Sequence, residues 1–299
     1  MPTQAALSTS TAMTLVTADH PKGQKAVEVF RAKYNQARLD DESAQRLNES
    51  PEFAAAIADA IAKFSVTNQY ADEERPSNYG YISGYKPRSI TEQTNRLREL
   101  FPGIGYANEA LAEQPLPQGA EGHFAMPRWD LIGKTYTAAA EIVWLKLKET
   151  RKGKFYNYRD GQLGPDRLRQ SAKSAAMWER LGQAQEGNNL LVVPAQFGIR
   201  HRGRSVRRAR EVMSGVEFGL GMFAVGIMLL THPERLQHYD DLWVDMAGDE
   251  YHDPQCSGAP FDHAPCFNFY DGRLRFGTVW SGRALGDYGS ASGWSVPQE

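Results

Sequence analysis

Apolar residues recur at helical spacing three times before any strand-like run begins. Val27, Phe30, Tyr34 and Ala37 share one face of a helix predicted over residues 25–39. Phe53, Ile57, Ile61 and Phe64 form the stripe of a second, for which Ser50 and Pro51 supply cap and first turn. Ser89-Ile90-Thr91-Glu92 is a capping box for a third, carrying Leu97, Leu100 and Phe101 and stopped by Pro102. Residues 68–88 hold tyrosines, glycines and prolines without a period and read as an irregular surface connection. A strand over 123–132, interrupted at Pro127, precedes a fourth helix over 135–149 with Tyr136, Ala140, Val143 and Leu147 inward.

The second half of the chain changes period. Phe155, Tyr156 and Tyr158 interleave with Lys152, Lys154 and Arg159, the pattern of a half-buried strand, and Pro165 is predicted to open a helix with Leu168, Ala172 and Ala175 inward. Residues 190–193 are a continuous apolar run of strand length, and Ser205 is an N-cap for a helix over 206–213 with Val206, Ala209 and Met213 on one face. Residues 218–230 are a buried segment whose periodicity fits strand or helix; as a strand it would complete a β-α-β unit over 190–230. LWVDMAG reads as a strand, and Asp271-Gly272 between two alternating runs is a type I′ hairpin signal. The fold class expected is α+β: an N-terminal helical part packed on a C-terminal mixed β-sheet that contains a β-α-β unit and a final β-hairpin. The expected parts are a flexible tail over 1–22, a mainly helical part over 23–150 and an α+β part over 151–299.

Composition narrows the function classes. A net charge of −2 over 299 residues argues against a wholly basic nucleic-acid binder, yet the charges are segregated. Residues 144–173 hold nine Lys/Arg against three acids, residues 198–210 six Arg and no acid, and residues 234–253 seven acids against Arg235 alone. Two cysteines give no disulfide framework, and a polar N-terminus without a basic start or apolar core points to the cytoplasm. The apolar run over 218–230 falls short of the roughly 20 residues a membrane helix needs, so no membrane partner is expected.

The stretches FAMPRWDLIGKTY, TRKGKFYNYRDGQLGPDRLRQS, VVPAQFGIRHRGRSVRRARE and FGLGMFAVGIMLLTHPERL resemble segments of hypothetical proteins from uncultivated, small-genome bacteria. The resemblance covers roughly residues 87–298. It implies a bacterial origin and carries no activity, cofactor or catalytic residue.

Four constellations carry candidate chemistry. Arg200, His201, Arg202, Arg204, Arg207 and Arg208 lie in and after a Gly/Arg-rich turn that leads from a strand to a helix. Guanidinium forks beside free backbone N–H groups suit a phosphate or carboxylate. No acid stands near them between residues 196 and 210, so unless the fold supplies Asp or Glu their donors need an external anion or water. Lys154, Tyr156, Tyr158 and Arg159 add the basic-aromatic interleaving of a single-stranded nucleic-acid surface, where bases stack on rings and cations follow phosphates. His252, Cys256, His263 and Cys266, spaced H-x3-C-x6-H-x2-C, are the donor types of a structural zinc site. Asp245, Asp249 and Glu250 follow a predicted strand, where acids bind Mg²⁺ in phosphoryl-transfer enzymes.

The function expected is binding of nucleic acid or another phosphate-bearing partner through the Arg-rich strand-loop-helix. One alternative is an assembly protein whose copies associate into a homo-oligomer, the Arg loop of one meeting the acidic residues 240–253 of the next. The other is a metal-dependent phosphodiester-cleaving enzyme built on Asp245, Asp249 and Glu250. No nucleophile elbow, P-loop or H-E-x-x-H supports another enzyme class.

Overall fold

Contacts along the chain divide it after Val66 into two units, residues 1–66 and 67–299. The computed structural model describes residues 16–213 and 215–295.

The first unit is three helices, each with a side-chain cap at its start, His20 accepting from Lys22 N at 3.2 Å in the first. Pro21 opens α1 (Pro21–Ala37), Asp40 accepts from Ser43 N at 2.8 Å to cap α2 (Asp41–Asn48), and Ser50 does the same for α3 (Pro51–Phe64). Helix α2 has no predicted counterpart, because its eight residues contain a single aliphatic side chain beyond alanine, Leu47. Of the tail expected over 1–22, the first fifteen residues lie outside the described ones and Pro21 is already helical.

The second unit holds the remaining elements, so the contact boundary falls well before the one expected near residue 150. Its order is α4 (Ile90–Leu100), β1 (Gly122–Pro127), α5 (Tyr136–Thr150), β2 (Phe155–Asn157), β3 (Leu168–Gln170), α6 (Ala172–Ala184), β4 (Leu190–Gln196) and α7 (Val206–Val212). There follow β5 (Glu217–Gly219), α8 (Met222–Thr231), β6 (Trp243–Asp245), β7 (Asp249–Tyr251), β8 (His263–Tyr270), β9 (Arg273–Trp280), β10 (Tyr288–Ser290) and β11 (Ser292–Trp294). The protein is α+β, with helices leading and a hairpin near the end. Among the described residues no helix is long and apolar enough to cross a membrane.

One sheet has the order β1-β4-β11-β5, all neighbours antiparallel. Strands β4 and β5 therefore run parallel, joined through α7, but β11 from the chain end is inserted between them. In the second sheet β8 pairs along one edge with β9, which pairs with β2; the other edge is shared by β6, continuing to β10, and β7, continuing to β3. The β8–β9 hairpin turns on Asp271 (φ 52°) and Gly272 (φ 68°), the two positive angles a type I′ turn requires.

The apolar run over 218–230 resolves into both alternatives, β5 and then α8. Every residue of α8 is buried, which explains its lack of an amphipathic period. Helix α5 packs across it, and Trp144 of α5 reaches Phe276 of β9 at a centroid distance of 4.2 Å, tying the helices to the second sheet. The helix predicted to open at Pro165 starts later: residues 168–170 form β3, and Ser171 caps α6 by accepting from Ser174 N at 3.3 Å.

Candidate nucleic-acid interface

The arginines expected to hold an external anion meet carboxylates of the chain itself. Arg204 and Arg208 reach Glu74 at 3.3 and 2.7 Å, Arg208 also bonds Glu211 at 2.8 Å, and Arg207 forks onto Glu73, its Nε 2.8 Å from both oxygens. The segment that brings Glu73 and Glu74 is clipped to the loop by its backbone, Arg75 N donating to Gly203 O at 2.7 Å and Ser205 N to Glu73 O at 3.0 Å. Burial opposes ionisation of Glu73, but the bonds from Arg207 and Ser205 outweigh it and hold the carboxyl below the ordinary glutamate range. Arg202 donates to Tyr79 O at 2.9 Å and stays exposed. The anion site expected at this loop is thus corrected: acids about 130 residues away in sequence neutralise it.

Beneath the loop, His201 Nε2 donates to Glu217 at 2.8 Å, Arg200 Nε donates at 3.2 Å and Ser292 Oγ donates at 2.8 Å. Arg204 donates to His201 Nδ1 at 3.1 Å, and burial holds the imidazole below its ordinary pKa, so the ring is neutral at pH 7. This is not a nucleophile relay, because the carboxylate sits between serine and histidine and the imidazole has no route to the hydroxyl.

The zinc donors expected at His252, Cys256, His263 and Cys266 do not converge. His263 and Cys266 are three apart on β8 and so point to opposite faces. His263 bonds Asp262 at 2.6 Å, Cys256 is exposed, Cys266 is buried, and His252 packs on Phe261. Among the described residues no three His, Cys, Asp or Glu side chains are disposed to hold a metal ion.

The acids expected as Mg²⁺ ligands are also separated by their roles. Asp249 accepts from Met222 N at 2.7 Å, capping α8, and from Tyr136 Oη at 2.9 Å, while Glu250 pairs with Arg169 at 2.7 Å. Asp245 is buried on β6 with one carboxylate oxygen lacking a partner. Burial pushes Asp249 up to about 7 and, with Asp287 nearby, Asp245 up to about 8.

The basic-aromatic strand behaves otherwise. Register places Tyr156 of β2 beside Arg275 of β9, and Arg275 beside Asn268 of β8, so the three side chains share one face of the second sheet. Alternation adds Tyr158, Tyr270, Arg273 and Trp243, and Trp243 pairs with Tyr288 of β10. Helix α7 covers only one end of this face, Val206, Ala209 and Met213 packing on Ala264 and Val279. The other end is open. Tyr156, Tyr158, Tyr239 and Tyr270 are each about half exposed, at 47, 51, 52 and 47%.

Their rings are held rather than loose. Tyr156 and Tyr158 meet edge to face at 4.6 Å, and the Tyr158 ring lies over Gly277, where a Cβ would already touch it at 3.9 Å. Arg275 donates to Tyr158 Oη at 2.9 Å and sets its guanidinium 4.5 Å from the Tyr270 ring centre. Tyr239 continues the surface, 5.6 Å from Tyr270 and 5.8 Å from Trp243. Lys154 is exposed at the margin, its carbonyl accepting from Leu274 N. Arg159 leaves the group: it bonds Asp253 at 2.8 Å and Thr278 at 2.6 Å.

Tyr239, Asn268, Tyr270 and Arg275 join a surface that sequence reasoning had credited only to residues 154–159. For three of them a signal existed, since Asn268, Tyr270, Arg273 and Arg275 alternate around the predicted turn. No protein-family model, curated protein or solved structure matches the chain.

Proposed function

We propose that the protein binds single-stranded nucleic acid on the open half of the second sheet, stacking bases on Tyr156, Tyr158 and Tyr270 with Arg275 between them. The observation that carries this reading is the set of half-exposed rings braced across β2, β9 and β8 around one guanidinium. Burying such rings against bases removes apolar surface from water, and each stacked base contributes roughly 1–3 kcal/mol. Lys154 and Arg273, the latter 3.5 Å from Asp271, lie at the margins where phosphates would run; the Arg loop is left out of the surface because Arg200, Arg204, Arg207 and Arg208 pair with acids of the chain, Arg202 alone bonding a carbonyl.

The assembly and phosphodiesterase readings have lost what motivated them. The loop arginines pair with Glu73, Glu74 and Glu217 rather than waiting for residues 240–253 of another copy, and Asp245, Asp249 and Glu250 do not form one donor set.

Fluorescence anisotropy with labelled oligo-dT and oligo-U, against a duplex of equal length, tests the proposal. Single strands are expected to bind more tightly than duplex. Y156A/Y158A and Y270A are each expected to weaken binding about 10-fold or more, on the stacking scale of about 1–3 kcal/mol. R202Q should change it little. Equal affinity for duplex, or tyrosine variants that bind like the parent, would overturn the reading.

A further inference from the structure

A cavity of about 560 Å³ lies along α6, away from the aromatic sheet face, within the roughly 300–1,000 Å³ of small-molecule sites. Ala175, Trp178, Glu179, Gly182 and Gln183 line one side at the spacing of a single helical face. Met126, Leu191 and Phe223, all buried, supply the apolar part of the lining, which Trp129, Asp130, Tyr136 and Arg128 complete, the Arg128 guanidinium reaching to Gly182 of α6. Trp129 and Trp178 both line the cavity and are each partly exposed, while Trp178 also packs on Phe218.

The charges in the lining are unequal. Arg128 is matched by Asp130 at 3.7 Å. Glu179 and Glu186 are exposed, and neither has a cationic partner among the described residues; Glu179 meets only the Gln183 amide, at 3.5 Å. We infer that the cavity takes an organic cation, an ammonium group carried on an elongated apolar or aromatic body. The body would lie on Met126, Leu191 and Phe223 between the two indoles, while the ammonium meets ring faces and the unmatched carboxylates. An anion of the same shape would meet three carboxylates, Asp130, Glu179 and Glu186, against the single guanidinium of Arg128, which is the electrostatic reverse of a complementary site. The helical stripe from Ala175 to Gln183 is about 12 Å long at ~1.5 Å per residue, with Glu186 in the turn beyond it, so an extended ligand fits better than a compact one.

Isothermal titration calorimetry with 4-phenylbutylamine, its N-acetyl derivative and 4-phenylbutyrate separates the possibilities. The amine is expected to bind with a stoichiometry of about one, acetylation to weaken it about 10-fold or more, and the carboxylate to bind more weakly still. E179Q/E186Q alters only exposed side chains, so it is expected to leave the melting temperature unchanged while weakening the amine about 10-fold. W178F should retain most of the affinity and W178A lose it, which distinguishes a ring contact from a merely hydrophobic one. Y156A/Y158A should bind the amine like the parent, keeping this site distinct from the sheet face. Binding of the carboxylate as tight as that of the amine, unchanged amine affinity in E179Q/E186Q, or no binding of any of the three at millimolar concentration would overturn the inference.

Discussion

The side-chain amide of Gln185 makes both hydrogen bonds of a neighbouring strand to Val192, donating to its carbonyl at 2.9 Å and accepting from its N–H at 2.8 Å. Val192 pairs in register with Ala125 of β1, and on the far side of Ala125 the amide of Gln93 does the same work, accepting from Ala125 N at 3.0 Å and donating to His123 O at 2.8 Å. Two glutamines thus serve the backbone of Ala125 on the outer edge of β1 and of Val192 on the stretch of β4 that β11 does not reach, buried groups that would otherwise have no partner.

Replacing either amide by a hydrocarbon of similar size should therefore cost far more than the lost packing. Q185L leaves one N–H and one C=O of Val192 unpaired in the core, and each orphaned group costs about 1–3 kcal/mol. Urea unfolding is expected to show Q185L destabilised by roughly 2–4 kcal/mol on that scale, and Q93L comparably. A loss under about 1 kcal/mol for both would mean that water or a backbone shift replaces the amides.

Glu73 and Glu74 should act as the restraint on the basic loop. In E73Q/E74Q the guanidiniums of Arg204, Arg207 and Arg208 lose most of their opposite charge, only Glu211 remaining for Arg208. Because these pairs are partly exposed, the stability change is expected to be modest, about 1–2 kcal/mol including the Ser205 bond to Glu73. Retention on a heparin column should instead rise clearly above that of the parent and fall steeply with salt. Unchanged retention would show that the loop is buried by something other than charge pairing.

These acids mark where sequence reading stops. The capping box at Ser89, the strand at 190–193 and the Asp271-Gly272 turn are legible because each is a short-range signal whose physics is contained in a few residues. The insertion of β11 between β4 and β5 joins residues about 97 and 75 apart, the pairing of Glu73 with Arg207 joins residues 134 apart, and no local period encodes them. Tyr156 and Tyr158 were visible as an alternating pair, but Tyr239 joins them only through the tertiary fold. Pro165 misled for a related reason: proline suits a first helical turn, but Leu168 is drawn into pairing with Tyr251, and the helix waits for Ser171.

Asp245 and Asp249 give the protein an unusual pH profile. Both carboxyls have folded values raised from 3.8, to about 8 and about 7, so between about pH 4 and pH 7 the folded state holds protons that the unfolded chain has released. Their contribution therefore falls as pH rises, by up to about 1.4 kcal/mol per pH unit for each group, and levels off above about pH 8. Glu211, held at about 2 by its bonds despite burial, works in the opposite sense and loses its contribution as pH falls below about 4.5. Burial lowers His201 and His232, the latter to about 4, so these rings add stability as pH rises toward 6.5 and offset the aspartates there; urea midpoints are expected to decline between about pH 6.5 and pH 8. D245N removes one titrating carboxyl, beside Arg210, Asp287 and Cys266, and should flatten that decline and exceed the parent at pH 8.5. Midpoints that stay level from pH 6.5 to pH 8, above the range in which the histidines contribute, would show that both carboxyls ionise normally.

Gly226, in the middle of the buried helix α8, is placed where intrinsic propensity disfavours it, and the reason is Val143. A Cβ at residue 226 would stand 2.8 Å from Val143 Cγ1 of α5, closer than two carbon atoms can pack. Alanine would gain about 1 kcal/mol in helix propensity, whereas forcing a methyl into a filled core costs about 1–3 kcal/mol. The branched Val143 side chain is fully buried and has no free rotamer into which to retreat, so the clash should win. G226A is expected to be destabilised by roughly 1 kcal/mol and V143A by about 2 kcal/mol, the latter through the cavity it leaves. In V143A/G226A the new methyl occupies part of that cavity, so the double variant should be clearly more stable than the sum of the single losses predicts. Thermal or urea unfolding of the four proteins measures the coupling directly. Additive losses would mean that α5 and α8 move apart to accept the methyl, and that Gly226 is not what sets their distance.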